Sequence, residues 1–324
     1  MEKRTAMRKN ILILIAALTF GSIGGFASPQ EPVIAVFTKN STNPAYEAAR
    51  IAADRAALEF GAKTVHYVPE KPDNVGEQKA LVEKALKDRP DIVLFVPVDD
   101  VAMKDDLQKF ADAKIPVVIF INPMQGQYVT FVGSDDVEVG YLGAKALFQA
   151  LGGKGLVVAI EGNPAAPTSR DRVKGLHRAL AEFPKIQLLD SGIGMYQRPD
   201  AKKLMAAMLL KHPRIDGVWT ANDAMAFGAL DALGEARRTA KIVGANGLDE
   251  AVRHIEDGTM LATVDFSSFK LGCLAAQAAI RYLRSESVPK AIQVPVLLID
   301  RTNFQAWETP LLQRPCPRWD DIIR

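Results

Sequence analysis

Cysteine, histidine and aromatic residues are scarce in this chain, and each scarcity removes a class of function. Two cysteines in 324 residues exclude a disulfide-dense scaffold and a multi-cysteine zinc site. The four histidines (His66, His177, His212 and His254) are scattered over a predicted strand, a turn and two helices. No H-E-x-x-H, G-x-S-x-G or Cys-x-x-Cys occurs, so the usual metalloprotease, hydrolase and redox signatures are missing. Gly152-Gly153-Lys154-Gly155 looks superficially like a phosphate loop. It precedes an apolar run instead of following one and lacks the Lys-Ser/Thr pair, so it reads as a helix-to-strand turn. A strong charge of one sign is absent too: 40 Lys+Arg against 38 Asp+Glu leave +2. What is present is ordinary for a globular protein, with 48% apolar and 24% charged residues, and the length allows about two domains.

The small basic excess hints at a nucleic-acid partner only until its position is considered. Met1–Asn10 carries Lys3, Arg4, Arg8 and Lys9 against Glu2, and ILILIAALTF (11–20) and GSIGGFAS (21–28) follow. A basic start, a short apolar run and small residues make a secretory signal peptide over 1–27, with Gly25 and Ala27 before the cleavage point. A membrane anchor is the weaker alternative, since Ile11–Phe26 includes Gly and Ser and is short for a bilayer of about 30 Å. Removing four positive charges and one negative takes the total from +2 to −1. The export signal thus carries the basic excess, and a periplasmic location follows.

From Pro32 onward, short apolar runs alternate with helix-length amphipathic segments. The runs are VIAVF (33–37), TVHYV (64–68), DIVLFV (91–96) and PVVIFI (116–121), then GLVVAI (155–160), GVWTA (217–221), KIVGA (241–245) and LATVDF (261–266). Val- and Ile-rich runs of this length fit parallel strands covered by helices on both faces. Pro44–Phe60 predicts one such helix, with Ala49, Ala52, Ala53, Ala56, Ala57 and Phe60 toward the sheet and Gly61 as its stop. The alternation defines an α/β, doubly wound parallel fold.

At an offset of 123 residues the two halves align on boundary residues, among them Asn40 with Asn163, Pro44 with Pro167, Pro90 with Pro213, and Asp100 with Asp223. A duplication and two generic βα domains with shared punctuation both predict two similar lobes. Ligands of such sheets sit beyond the carboxyl ends of the strands. The polar residues there are Lys39-Asn40, Asp99-Asp100, Asn122, Asp135-Asp136, Asn163, Asn222-Asp223 and Asn246. Asp100, Asp136 and Asp223 read first as helix N-caps. The asparagines both donate and accept, which suits a sugar or polyol.

Several motifs resemble the type I periplasmic solute-binding proteins, in particular the ribose-binding branch related to lac-repressor cores. They are the Asn43-Pro44-Ala45-Tyr46 turn, IPVVIF (115–120), VGSDDVEVGYLGAKAL (132–147), SRDRVKGL (169–176), ANDAMAFGAL (221–230) and IVGANGLDEAVRHI (242–255) followed by GTMLATV (258–264). The resemblance covers about Pro32–Arg301. It implies two Rossmann-like lobes joined by a three-crossing hinge, with a ligand cleft between them. The first lobe would comprise 31–134 plus 267–296, and the second 135–266 plus 297–324 with an extended tail. Carried over residue by residue, it places Asn43 and Tyr46 on one wall and Arg170, Tyr196 and Asn222 on the other. Tyr46 would offer a ring face to ligand C–H groups, and Arg170 a fork of donors.

The departures bear on the ligand. Where sugar-binding relatives often carry Asp-Arg this chain has Ile121-Asn122, where they often carry an aspartate it has Asn246, and at a hinge position often filled by glutamine it has Phe266 after Asp265. Losing two carboxylates does not support ribose itself. Lys39 and Asn40 are further candidates. If Lys39 lies beside Arg170 and not in solvent, an acidic or phosphorylated ligand becomes the minority reading.

The resemblance implies a monomeric, non-enzymatic binding protein without cofactor or metal, for a small polar solute, most readily a sugar or polyol. Its partner would be an ABC permease in the inner membrane; a sensor receptor or histidine kinase is the alternative. No nucleic-acid partner is expected, because a repressor's DNA-binding segment would occupy the N-terminus that the signal takes. For Cys273 and Cys316 two outcomes stand, a bridge formed after export or a free buried Cys273. In the tail, Pro310, Pro315 and Pro317 resist helix while Trp307 and Trp319 can pin it to a lobe.

Overall fold

The computed structural model describes residues 31–323, so the expected signal peptide over 1–27 lies outside the described residues. Its first half builds β1 (Val33–Phe37), α1 (Pro44–Glu59), β2 (Lys63–Tyr67), α2 (Val75–Asp88), β3 (Ile92–Phe95), α3 (Lys104–Asp112), β4 (Val117–Phe120) and β5 (Thr130–Gly133). There follow α4 (Asp136–Ala150), β6 (Lys154–Glu161), α5 (Pro167–Glu182), β7 (Lys185–Ile193), α6 (Arg198–Lys211), β8 (Gly217–Thr220), α7 (Asp223–Glu235), β9 (Lys241–Ala245), α8 (Asp249–Glu256) and β10 (Ala262–Asp265). The chain ends with α9 (Ser268–Leu283), β11 (Ala291–Gln293), β12 (Leu297–Asp300), two short 3-10 turns (Phe304–Trp307 and Leu311–Gln313) and α10 (Trp319–Ile322).

Two six-stranded sheets result, ordered β11-β5-β4-β3-β1-β2 and β12-β10-β9-β8-β6-β7. Position by position the orders match, and all pairs are parallel except β12 against β10. The sheets define two Rossmann-like lobes. The chain passes between them after β5, after β10 and between β11 and β12, giving a three-crossing hinge. Every residue of β3 and β4 is buried, as expected for central strands covered on both faces.

Helix α1 meets α9 on one face of the first sheet, and the alanines predicted to face inward are all buried. Phe60 departs from that prediction. It is the C-cap of α1, 36% exposed, and lies under the Arg284 guanidinium. Gly61 follows at φ +74°, the left-handed turn that stops the helix. In the second lobe α4 crosses α5 at closest approach on Gly140 and Gly175. A Cβ on Gly175 would fall 2.1 Å from the Val137 carbonyl oxygen, and one on Gly140 1.9 Å from that of Arg172. Only glycine admits this crossing, and it fixes the helical phase of α5 and hence which arginine it turns inward.

Three aspartates expected as N-caps are not. Asp135, not Asp136, accepts the Glu138 N–H at the start of α4, and Asn222, not Asp223, accepts that of Met225 at the start of α7. Asp99 accepts from Val101 and Ala102, leaving Asp100 free to reach across the cleft. For α4 and α7 the cap is the last extended residue, one position earlier than the charge suggested, whereas Asp99 closes a turn ahead of α3, which starts only at Lys104 after Met103. The tail is a second departure. Placed with the second lobe over 297–324, it does begin there, as β12. Leu311–Gln313 then packs on α1, Trp319 lies under Arg281 of α9, and Cys316 is bonded to Cys273 of α9, all in the first lobe.

Candidate functional site

The carboxyl ends of both sheets face each other across a small cavity of ≈ 20 Å³. Of the eight principal candidates, Asn43, Tyr46, Tyr196, Asn222, Asn246 and Phe266 line it, and Arg170 and Asn122 do not. The walls touch: Asn246 Nδ2 donates to Asn43 Oδ1 at 3.4 Å, Thr42 to Gln197 Oε1 at 3.0 Å, and Asn163 to Asp73 at 3.4 Å. The cleft is therefore shut by direct bonds between the lobes.

Helix N-termini place two of these side chains. Asn43 caps α1, its Oδ1 accepting the Ala45 N–H at 3.0 Å, and Asn222 caps α7, its Oδ1 accepting from Met225 at 2.9 Å. The backbone turns place two more: Tyr196 sits at φ +61° and Asn246 at φ +136°, conformations that non-glycine residues adopt only under constraint. Gly162 makes room for the Tyr196 ring, since a Cβ there would lie 2.2 Å from its Cζ. Burial, followed by the Asp73 carboxylate, raises the Tyr46 hydroxyl well above its ordinary pKa, and burial raises Tyr196. Both are neutral hydroxyls beside the cavity.

The arginine that lines the cavity is Arg172. It is 3% exposed, donates from Nε to Asp136 at 2.8 Å and from Nη1 to the Ala221 carbonyl at 2.7 Å, and lies 5.0 Å from the centre of the Phe266 ring. Arg170 instead stands at the rim, 42% exposed in its side chain, bonded to Asp100 of the first lobe at 2.7 Å. Two positions apart on a helix are about 200° apart in direction, so α5 can present only one of the two to the cavity. The signal that separates them is in the sequence: Arg172, Gly175, Leu176 and Ala179 form the buried i, i+3, i+4, i+7 stripe.

Asn122 is also turned away. Its Nδ2 donates to the Pro97 carbonyl at 2.9 Å, and its neighbour Ile121, at φ +62°, faces the cavity in its place. Asp265 is spent on the hinge, where its carboxylate accepts the Ser267 N–H and the Trp307 indole N–H, the latter at 2.8 Å. Asn40 is tied to Asp73 at 2.8 Å and to the Asn43 N–H. Lys39 is fully buried. Its Nζ is 3.4 Å from Asp73, 5.5 Å from the Tyr196 ring centre and 6.0 Å from that of Tyr46, and among the described residues it makes no hydrogen bond of good geometry. Thr168, bonded to the Tyr196 hydroxyl at 3.2 Å, also lines the cavity and went unread in the sequence.

Each cation is thus matched by its own carboxylate, Arg172 by Asp136 and Lys39 by Asp73. Burial holds the Asp136 carboxyl up at about 6 against the pull of Arg172. Deeper in the second lobe, burial pushes Asp223 up to about 7, opposed by bonds from Thr263 Oγ1 at 2.6 Å and the Leu248 N–H at 3.0 Å.

Two matched α/β lobes, a triple hinge and a polar cavity between facing strand ends define the architecture of a two-lobed solute-binding protein. Comparison with known proteins places it more narrowly: residues 34–287 match the periplasmic binding protein domain family, and the chain belongs to it, on the ribose-binding-protein-like, type I side. It is 28% identical to the ribose import binding protein of Bacillus subtilis (strain 168) over 270 residues, 83% of this chain and 87% of that protein. A solved ABC transporter solute-binding protein from Mycobacterium smegmatis with bound glycerol superposes with a TM-score of 0.81 at 30% identity, covering 85% of this chain and 96% of the other. One from Actinobacillus succinogenes with bound D-allose gives 0.80 at 27% identity, covering 85% and 100%. Among the described residues no helix is long and apolar enough to cross a membrane.

Proposed function

We propose that this chain is the periplasmic solute-binding component of an ABC importer for a small neutral sugar or polyol, exported through its N-terminal signal. The observation that carries the reading is the charge balance of the cavity. Arg172 in the wall and Lys39 behind it each sit beside a buried carboxylate, and the remaining walls are amides, hydroxyls, aromatic rings and the aliphatic Ile121 and Ala45. Such walls bond hydroxyl groups in both directions and cover C–H faces. An anion would add an uncompensated charge to this balance, and Arg170, which was to help receive it, is held at the rim by Asp100. The bound molecules of the similar solved proteins, glycerol and D-allose, are of the neutral class.

Binding works by closure. Parting of the Asn43–Asn246 and Thr42–Gln197 contacts opens the cleft, and a solute that bonds both walls restores the shut form, because only then are all its bonds made. The permease would read the shut form, and the chain performs no chemistry on its cargo. A thermal-shift screen of neutral sugars, polyols, sugar acids and sugar phosphates tests the assignment. A cognate neutral ligand at 100 times its Kd adds about 2.7 kcal/mol, a rise of about 4 °C in Tm for a chain of this size. Stabilisation by anionic compounds alone refutes it.

A further inference from the structure

The tail after β12 makes a connection that the three hinge strands do not. At Trp307 it is still on the second lobe, its indole N–H donating to Asp265 at 2.8 Å, and the Leu311 N–H donates to Asp249 at 3.0 Å at the start of α8. It then leaves that lobe. Arg55 of α1 donates to the carbonyls of Leu312 at 2.6 Å and Arg314 at 2.7 Å, and Gln277 of α9 to that of Pro317 at 3.0 Å. Cys316 is joined to Cys273 of α9, with a Cα–Cα distance of 5.6 Å.

We infer that residues 301–319 form a fourth connection between the lobes, a tether that runs on from β12 of the second lobe, is shortened there by hydrogen bonds, and is fastened to the first lobe by the disulfide, so that it limits how far the cleft opens. Length decides the effect. Leu311 and Cys316 are five residues apart, so the span between their anchors cannot exceed about 18 Å at full extension. Pro315 stiffens this stretch by fixing φ, and Pro310 and Pro317 do so at its two edges. Leu311 and Leu312 roof a cavity of ≈ 160 Å³ walled by Pro44 and Ala48 of one lobe and Leu248 of the other, so the tether lies over the seam itself. Opening beyond the reach of the five residues must break the Asp249 bond, and opening beyond the longer reach from Trp307 must break the Asp265 bond as well. Because Cys273–Cys316 is the fastening, the limit depends on the thiols being oxidised.

Small-angle scattering of the ligand-free mature chain tests this without knowledge of the solute, so its failure is separable from that of the transport reading. The oxidised protein is compared with Cys273→Ser/Cys316→Ser, with a chain ending at Arg301, and with Trp307→Phe/Asp249→Ala, which removes the bonds that shorten the tether on the second lobe and leaves the disulfide intact. The expected result is a larger radius of gyration in all three, each with the circular dichroism of the parent. Should either of the first two unfold, Trp307→Phe/Asp249→Ala decides alone. A radius unchanged from the parent in the natively folded variants overturns the inference.

Discussion

Two arginines on one helix turn separate a binding role from a rim contact, and Arg172→Lys against Arg170→Ala measures the difference. Arg172→Lys keeps a cation against buried Asp136, so the cost of an unpaired internal charge, about 3–5 kcal/mol for a broken buried pair, is avoided. It removes the planar fork that reaches both Asp136 and the Ala221 carbonyl, and with it the geometry by which a guanidinium can also address a ligand. A hydrogen bond to a charged donor contributes about 1.5–3 kcal/mol, so affinity should fall about 10- to 150-fold. Arg170→Ala deletes a half-exposed ion pair to Asp100 that contributes at most about 1 kcal/mol. Because that pair joins the lobes, its loss weakens closure by no more than about fivefold. Titration calorimetry with a hit from the thermal screen reads both. If Arg170→Ala loses as much affinity as Arg172→Lys, the assignment of Arg172 to the cavity is wrong.

Two further outcomes follow from the packing and the buried acids. Gly175→Ala gains about 1 kcal/mol of helix propensity but places a methyl 2.1 Å from a backbone oxygen of α4. Overpacking of about 3 kcal/mol wins, and Tm should drop; an unchanged or higher Tm in a thermal melt contradicts the close crossing. The Asp223 carboxyl, at about 7 in the folded protein against an ordinary value near 3.8, favours the folded state when protonated. Its contribution is complete at low pH and is lost as pH rises from about 4 through 7. Urea unfolding across that range should show this slope flattened in Asp223→Asn, and an identical slope in the two proteins refutes it.

The central strands were legible because burial on both faces leaves an uninterrupted apolar run, as in VIAVF and KIVGA. Strands β5, β7, β11 and β12 were not: β7, β11 and β12 lie at the sheet edges with mixed burial and no such run, and β5, inside its sheet, is only the four residues TFVG. Among the candidate site residues, those fixed by local turns, such as Asn43 and Asn222, line the interlobe cavity. Arg170 was misplaced because the phase of a helix is set by what packs on it, here α4 against Gly175. Asp265 and Asn122 carry the right chemistry but are consumed by nearby partners, the hinge turn with Trp307 and the Pro97 carbonyl, which sequence spacing does not display. The disulfide stood open because 43 residues separate its cysteines and only the return of the tail to α9 joins them.

The double employment of Asn43 and Asn222 constrains how this receptor can be retuned. Each ends a helix as well as walling the cavity, and replacing such a cap costs about 1 kcal/mol of stability before any ligand is considered. Changing selectivity through them therefore taxes folding and recognition together. Ile121 makes no side-chain hydrogen bond that a replacement would break, yet it faces the same space. A library that varies Ile121 while holding both asparagines should shift selectivity at little expense to the scaffold.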